Sequence, residues 1–143
     1  MKRLLFTLAL AAAATATPLR AASDDEVAAR KLALEVAGAF SNDGFKLRDG
    51  NWAGKFVPGK PALIQVNLYA GNQYWFTVAA TAAAKKVAIT VFDETGKPVA
   101  TEPYENTAVA AAGFAPAHSG PYFLRVELTE GEPATFCLIY SYR

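Results

Sequence analysis

The chain has 143 residues, with fourteen Lys and Arg against thirteen Asp and Glu, one His and one Cys. That even balance, with the basic residues scattered along the chain, excludes the basic face a nucleic-acid partner requires. A lone Cys excludes an internal disulfide framework, and one His with one Cys cannot close a tetrahedral zinc site.

At the start, Lys2 and Arg3 precede an uncharged run over 4–14 and then small residues, the outline of a secretory signal peptide. The run is about ten residues, roughly half of what spans a bilayer, so export is expected and a permanent membrane anchor is not. Cleavage fits after Ala16, reading Ala14-Thr15-Ala16, or after Ala21, reading Leu19-Arg20-Ala21; the second falls just before the helical signal. No Cys follows the run to carry a lipid. Removing 1–21 takes away Lys2, Arg3 and Arg20 and leaves eleven basic against thirteen acidic side chains. The expected product is a nearly neutral single domain of about 120 residues, periplasmic or extracellular in a bacterium.

Ser23-Asp24-Asp25-Glu26 is a strong helix start, with Ser placed to cap, Glu three positions on to return the hydrogen bond, and acidic side chains in the first turn. Ala28, Leu32, Val36 and Phe40 then recur every fourth residue, which predicts one amphipathic helix over about 24–40 within a segment 22–44. Its stripe is expected to lie on the chain's own sheet or against a partner. "SNDG" over 41–44 ends it, with Asn42 or Gly44 in the left-handed stop conformation.

After Gly44 the period changes to two and the residues become β-branched and aromatic, predicting a β domain over 45–143. Strands are expected at 45–48, 52–57, 62–69, 73–80, 86–93, 97–101, 107–114, 121–129 and 134–142. Asp49-Gly50-Asn51, Pro58-Gly59-Lys60, Ala70-Gly71-Asn72, Glu94-Thr95-Gly96 and Ser119-Gly120-Pro121 are the turns between them. Short strands at this spacing, without helices between them, form an antiparallel sandwich or barrel. Ile64, Val66 and Leu68 alternate into the Gly71 turn, and Tyr74, Phe76 and Val78 alternate out of it. The same alternation selects Val87, Ile89 and Val91; Tyr122, Leu124, Val126 and Leu128; and Phe136, Leu138, Tyr140 and Tyr142. Arg125, Glu127, Thr135 and Ser141 then turn to solvent, and Tyr69, Trp75, Tyr104 and Phe123 are rings the core does not claim.

Three phrases in a fixed order carry a resemblance: "VNLYAGNQYWFTV" at 66–78, "VAITVFDETGKPVA" at 87–100 and "FAPAHSGPYFLRVEL" at 114–128. Each is a strand, a Gly-bearing turn and a return strand, and together they resemble the bacterial pre-peptidase C-terminal domain over about 52–142. The resemblance implies a mainly β, antiparallel jelly-roll-like β-sandwich, here preceded by one N-terminal α-helix. It also implies a secreted, non-catalytic accessory module, in its family attached to a peptidase or other exported enzyme, some members binding calcium or a polymeric substrate. Where that enzyme or a linker would stand, this chain has its helix, which on one reading docks onto a separate partner.

Few residues carry chemistry. Cys137 lies in the apolar run 136–140 with no base among its neighbours and is expected to be a buried core thiol. His118 directly precedes Ser119, but neighbours on an extended chain point apart and no Gly-x-Ser-x-Gly elbow is present, so it reads as a turn residue. Asp93, Glu94, Glu102 and Glu105 fall in or near turns and read as solvated rather than as a sugar-hydrolysing pair. Calcium is the one cofactor weighed: "SNDGFKLRDGN" over 41–51 offers Asn42 and, as the candidate set, Asp43, Asp49 and Asn51, without the spacing of a twelve-residue calcium loop. Sugar faces stack on rings such as Tyr69, Trp75 and Tyr104, the candidate ligand-binding set. The competing reading places Trp75 and Tyr69 beneath the helix stripe of Leu32, Val36 and Phe40. The expected function is an exported, non-catalytic binding or assembly module for a protein partner or an extracellular polymer. The alternative is carbohydrate or cell-wall polymer binding through those rings.

Overall fold

A computed structural model describes residues 20–143. The expected signal peptide, 1–21, lies outside the described residues except for its last two positions. Among the described residues no helix is long and apolar enough to cross a membrane. The architecture is mainly β, with antiparallel sheets and one helix. In chain order the elements are α1 (Asp24–Ser41), β1 (Lys46–Leu47), β2 (Trp52–Phe56), β3 (Ala62–Leu68), β4 (Tyr74–Ala80), β5 (Ala84–Phe92), β6 (Glu102–Asn106), β7 (Val109–Phe114), β8 (Gly120–Gly131) and β9 (Ala134–Tyr142).

The larger sheet has the order β1-β9-β4-β7-β6, with β2 sharing the outer side of β9. There β1 pairs with the Ser141 and Tyr142 end of β9, and β2 with its 134–138 stretch. The smaller sheet is β3-β8-β5. Most connections pass from one sheet to the other, and β6–β7 is the one link among the described residues in which consecutive strands pair. The turn at 69–73 is therefore an arch between sheets rather than a hairpin. One core lies between the sheets, with Val66 and Leu68, Phe76 and Val78, Val87 and Val91, Leu124 and Val126, and Phe136 and Leu138 all buried in it. These are the positions that period-two alternation selects.

The other face of the larger sheet differs from expectation. Thr135 and Ser141, expected in solvent, are 3% exposed, because α1 lies over them together with Ala79, Val109, Cys137 and Ile139. Helix boundaries follow the sequence: the Ser23 hydroxyl accepts from the Glu26 N–H and the Glu26 carboxylate accepts from the Ser23 N–H, both at 3.2 Å. Gly44 (φ +86°), not Asn42 (φ −65°), takes the left-handed stop. The buried face, however, is centred on Ala29, Ala33 and Ala37, with Leu32, Leu34 and Val36 partly buried beside it and Ala28 exposed. Counting large apolar side chains finds the flank of the stripe. Its centre needs small ones, because a helix that settles close to a sheet leaves little room under its axis.

Two further corrections concern the segment after β5. The strand expected over 97–101 shrinks to one bridge, Phe92 with Pro98, and the Val99 N–H donating to the Val91 carbonyl at 2.9 Å. The chain then crosses to the larger sheet, and 102–106, which falls between two expected strands, supplies β6. Every residue of β6 is exposed, so no alternation marks it, and Pro103 is tolerated because the strand is an edge. At the opposite end of β8 the arches pack tightly: Gly131 has φ +115°, and a Cβ there would stand 2.6 Å from the Ala83 carbonyl oxygen.

Ala33→Leu is expected to lower stability by about 1–3 kcal/mol in a urea titration, because the added atoms have no space between α1 and the sheet. Ala28→Leu, on the exposed side, should stay within about 0.5 kcal/mol of the parent protein.

Candidate functional site

Along the core-facing side of β9 the residues run Phe136, Leu138, Tyr140, Tyr142, and the core-facing side of β4 begins at Tyr74. Towards one end of the molecule, rings with hydroxyls thus replace plain ones. Pairing gathers them, since Tyr74 stands opposite Tyr142 and Phe76 opposite Tyr140. Asn67 of β3, Tyr69 and Asn72 of the arch, and Arg48 just after β1 complete a cleft of about 330 Å³ with these three tyrosines.

The cleft is held by backbone and side-chain bonds. The Tyr74 hydroxyl accepts from the Tyr69 N–H at 2.9 Å and from the Asn72 side-chain amide at 3.1 Å, which fastens the arch to β4. The Arg48 N–H donates to the Tyr140 carbonyl at 3.0 Å. Its guanidinium carbon lies 5.1 Å from the centre of the Tyr140 ring and 5.5 Å from that of Trp52, within cation–π range. Burial pushes the Tyr140 hydroxyl above its ordinary pKa, and the Arg48 charge pulls in the other direction. Among the described residues Arg48 is the one charged side chain lining the cleft, and no carboxylate lines it. Tyr69 and Tyr142 are 63% and 38% exposed, so their rings are free to meet a ligand. A concave surface with aromatic walls and a few convergent polar groups is what a ligand site requires.

The sequence-derived ligand set is not brought together. Tyr69 belongs to this cleft. Trp75 lies on the opposite face of the larger sheet, stacked on Phe40 of α1 with ring centres 4.3 Å apart and an interplanar angle of 7°. Its indole passes so close to Gly113 that a Cβ there would stand 2.9 Å from Cζ2. For Trp75 the helix is the cover; Tyr69 has no part in that contact. Tyr104 is on the exposed edge strand β6, paired with Ala111. Phe123 sits across from Phe92 on the outer surface of the smaller sheet, beside Leu63 and the Arg125–Glu127 ion pair at 2.8 Å.

For a metal, Asp43 lies in the turn after α1, and Asp49 and Asn51 flank Gly50; all three are exposed. The Asp43 carbonyl is occupied by Arg143 Nη1 at 2.6 Å. Among the described residues no group of three or more His, Cys, Asp or Glu is placed to hold an ion. Asp93, His118 and Ser119 do line one hollow, of about 330 Å³, but each is used in a turn. Asp93 Oδ1 accepts from the Thr95 hydroxyl and N–H and the Lys97 N–H, and the Thr95 hydroxyl bond is the main reason its pKa is lowered. Ser119 Oγ accepts from the Ala70 N–H at 2.9 Å, and the His118 carbonyl accepts from the Tyr122 hydroxyl at 2.8 Å.

Sequence reasoning missed Arg48, Asn67, Asn72, Tyr74, Tyr140 and Tyr142 as site residues. The available signal was the change from Phe and Leu to Tyr at the ends of core strands. Comparison with protein-family models finds no match, and comparison with curated proteins finds none either.

Cys137 is buried, as expected, and burial pushes its thiol up to about 11. In the folded protein it should resist a thiol reagent at pH 8, where roughly one molecule in a thousand carries the thiolate, and react on denaturation. Because the folded state holds this proton more tightly than the unfolded chain, its contribution to stability is present below about pH 9 and declines as pH rises toward 11. A urea midpoint that falls over that interval in the parent, and falls less in Cys137→Ala, would show it.

Proposed function

We propose that this chain is an exported, non-catalytic binding module that takes a saccharide in the tyrosine cleft. The observation that carries the reading is the cleft itself: four tyrosines, two side-chain amides and one guanidinium, mounted on two sheets and the arch between them. Rings stack on the apolar faces of sugars, and amides and hydroxyls match their hydroxyl groups. Support for a jelly-roll-like sandwich comes from the strand order, in which β2, β9, β4 and β7 face β3, β8 and β5 and most links cross between the layers. The short bridge at Pro98 occupies the place of a fourth strand beside β5. Kinship with the pre-peptidase C-terminal domain rests on the three phrases quoted above, and export on the pattern of 1–21. A non-catalytic role agrees with the structural use of Asp93 Oδ1 and Ser119 Oγ in turns. The proposal rests on the cleft rather than on the helix, whose Ala29, Ala33 and Ala37 pack on the chain's own sheet.

The test is retention of the mature protein on a panel of polysaccharides and purified cell-wall glycan, beside Tyr69→Ala and Trp75→Ala variants with parental melting curves. Tyr69→Ala is expected to weaken binding about tenfold or more, by the loss of one stacking ring, while Trp75→Ala retains it. Absence of binding throughout, or binding lost only with Trp75, would overturn the proposal.

A further inference from the structure

Resting on the saccharide reading, we infer that the cleft selects glycans whose sugar rings carry a carboxylate. Arg48 is placed for this. Its guanidinium carbon stands 5.1 and 5.5 Å from the ring centres of Tyr140 and Trp52, and the side chain is exposed, so its N–H groups can reach a ligand in the cleft. One of those N–H groups reaches the Asp49 carbonyl, at a long 3.3 Å. The ion pair found among the described residues is Arg125 with Glu127, so Arg48 has no carboxylate partner there.

Chemistry then favours one ligand class. A guanidinium can hold a carboxylate through two parallel charge-assisted hydrogen bonds, and gains more from it than from a neutral hydroxyl. Among the described residues no acidic side chain lines the cleft to repel the anion. Around it, exposed Tyr69 and Tyr142 offer faces for the sugar ring that bears the carboxylate. A uronic acid and a sugar with a lactyl ether both present this combination of a pyranose face and an adjoining carboxylate.

Two matched pairs of probes test the inference and separate the two sources. One is polygalacturonate against its fully methyl-esterified form. The other is muramic-acid-containing glycan strands freed of stem peptides against chitin oligomers, which lack the lactyl carboxylate. Wild-type protein is expected to bind the acidic member of at least one pair about tenfold more tightly, and Arg48→Gln to bring that value down to the neutral member's. Arg48→Lys, which keeps the charge but not the planar fork, should keep the direction of the preference at reduced size, and serves if the Gln variant melts early. Equal binding of acidic and neutral members would overturn the inference while leaving the saccharide reading intact. A preference that survives Arg48→Gln would overturn it as well. Failure to bind any of the four would remove both.

Discussion

The structure depends on the burial of β4 and β9 on both faces. One face of this pair meets the core between the sheets and the other meets α1, so nearly every side chain along the two strands is out of water. Each fully buried Phe, Leu or Ile there contributes on the order of 1.5–3 kcal/mol, which outweighs the hydroxyls of Thr77 and Ser141, sealed with no hydrogen-bond partner among the described residues. The same constraint sets the helix: only small residues fit at the middle of its buried face. Its end is fastened by Arg143, whose Nε donates to the Gln73 side chain at 2.7 Å and whose guanidinium lies 4.6 Å from the Phe45 ring centre. Without α1, the sheet would present Ala79, Val109, Cys137 and Ile139 to solvent.

A fold in which successive strands alternate between layers has two unlike ends. At the end with Gly131 the arches between β4 and β5 and between β8 and β9 touch backbone to backbone. The links at 69–73, 93–101 and 115–119 lie at the other end, where the tyrosine cleft opens. Tyrosine suits such a rim, since the ring continues the apolar wall while the hydroxyl meets water or an amide. Tyr74 shows both uses, packing against Phe76 with ring centres 6.0 Å apart and anchoring the arch with its hydroxyl. The cleft is thus an outcome of how the core ends, and strands rather than loops hold three of its four rings.

Period and capping were legible in the sequence because both are local. The helix start, a stop within 41–44 and the alternation of five strands needed only a few neighbouring residues each. What was hidden is long-range. The helix's place on the sheet turned Thr135 and Ser141 inward, and no residue near them in sequence announces that cover. Strand β6 was hidden by its exposure, since an edge with both faces wet has no pattern to read. The site was hidden most fully, because Tyr74 meets Tyr142, and Arg48 meets Tyr140, only once the sheet register exists. Face-counting across the Gly71 turn singled out Tyr69 and Trp75 alike, and Tyr104 was singled out as a loop ring; the register separates them, placing Tyr69 at the cleft and Trp75 and Tyr104 on the other side of the sheet.

On the proposed reading, the rings and the cation divide their work. Stacking on Tyr69 and Tyr142 is tolerant of which sugar is bound, because most pyranoses present an apolar face. Selectivity then has to come from a group with a sign and a direction, and among the described lining residues Arg48 has both. A lysine in its place would supply the sign alone: its ammonium is compact and strongly hydrated, and it lacks the planar fork that matches a carboxylate. The rings of Tyr140 and Trp52, with centres 5.1 and 5.5 Å from the guanidinium carbon, favour holding that cation beside the cleft before any ligand arrives.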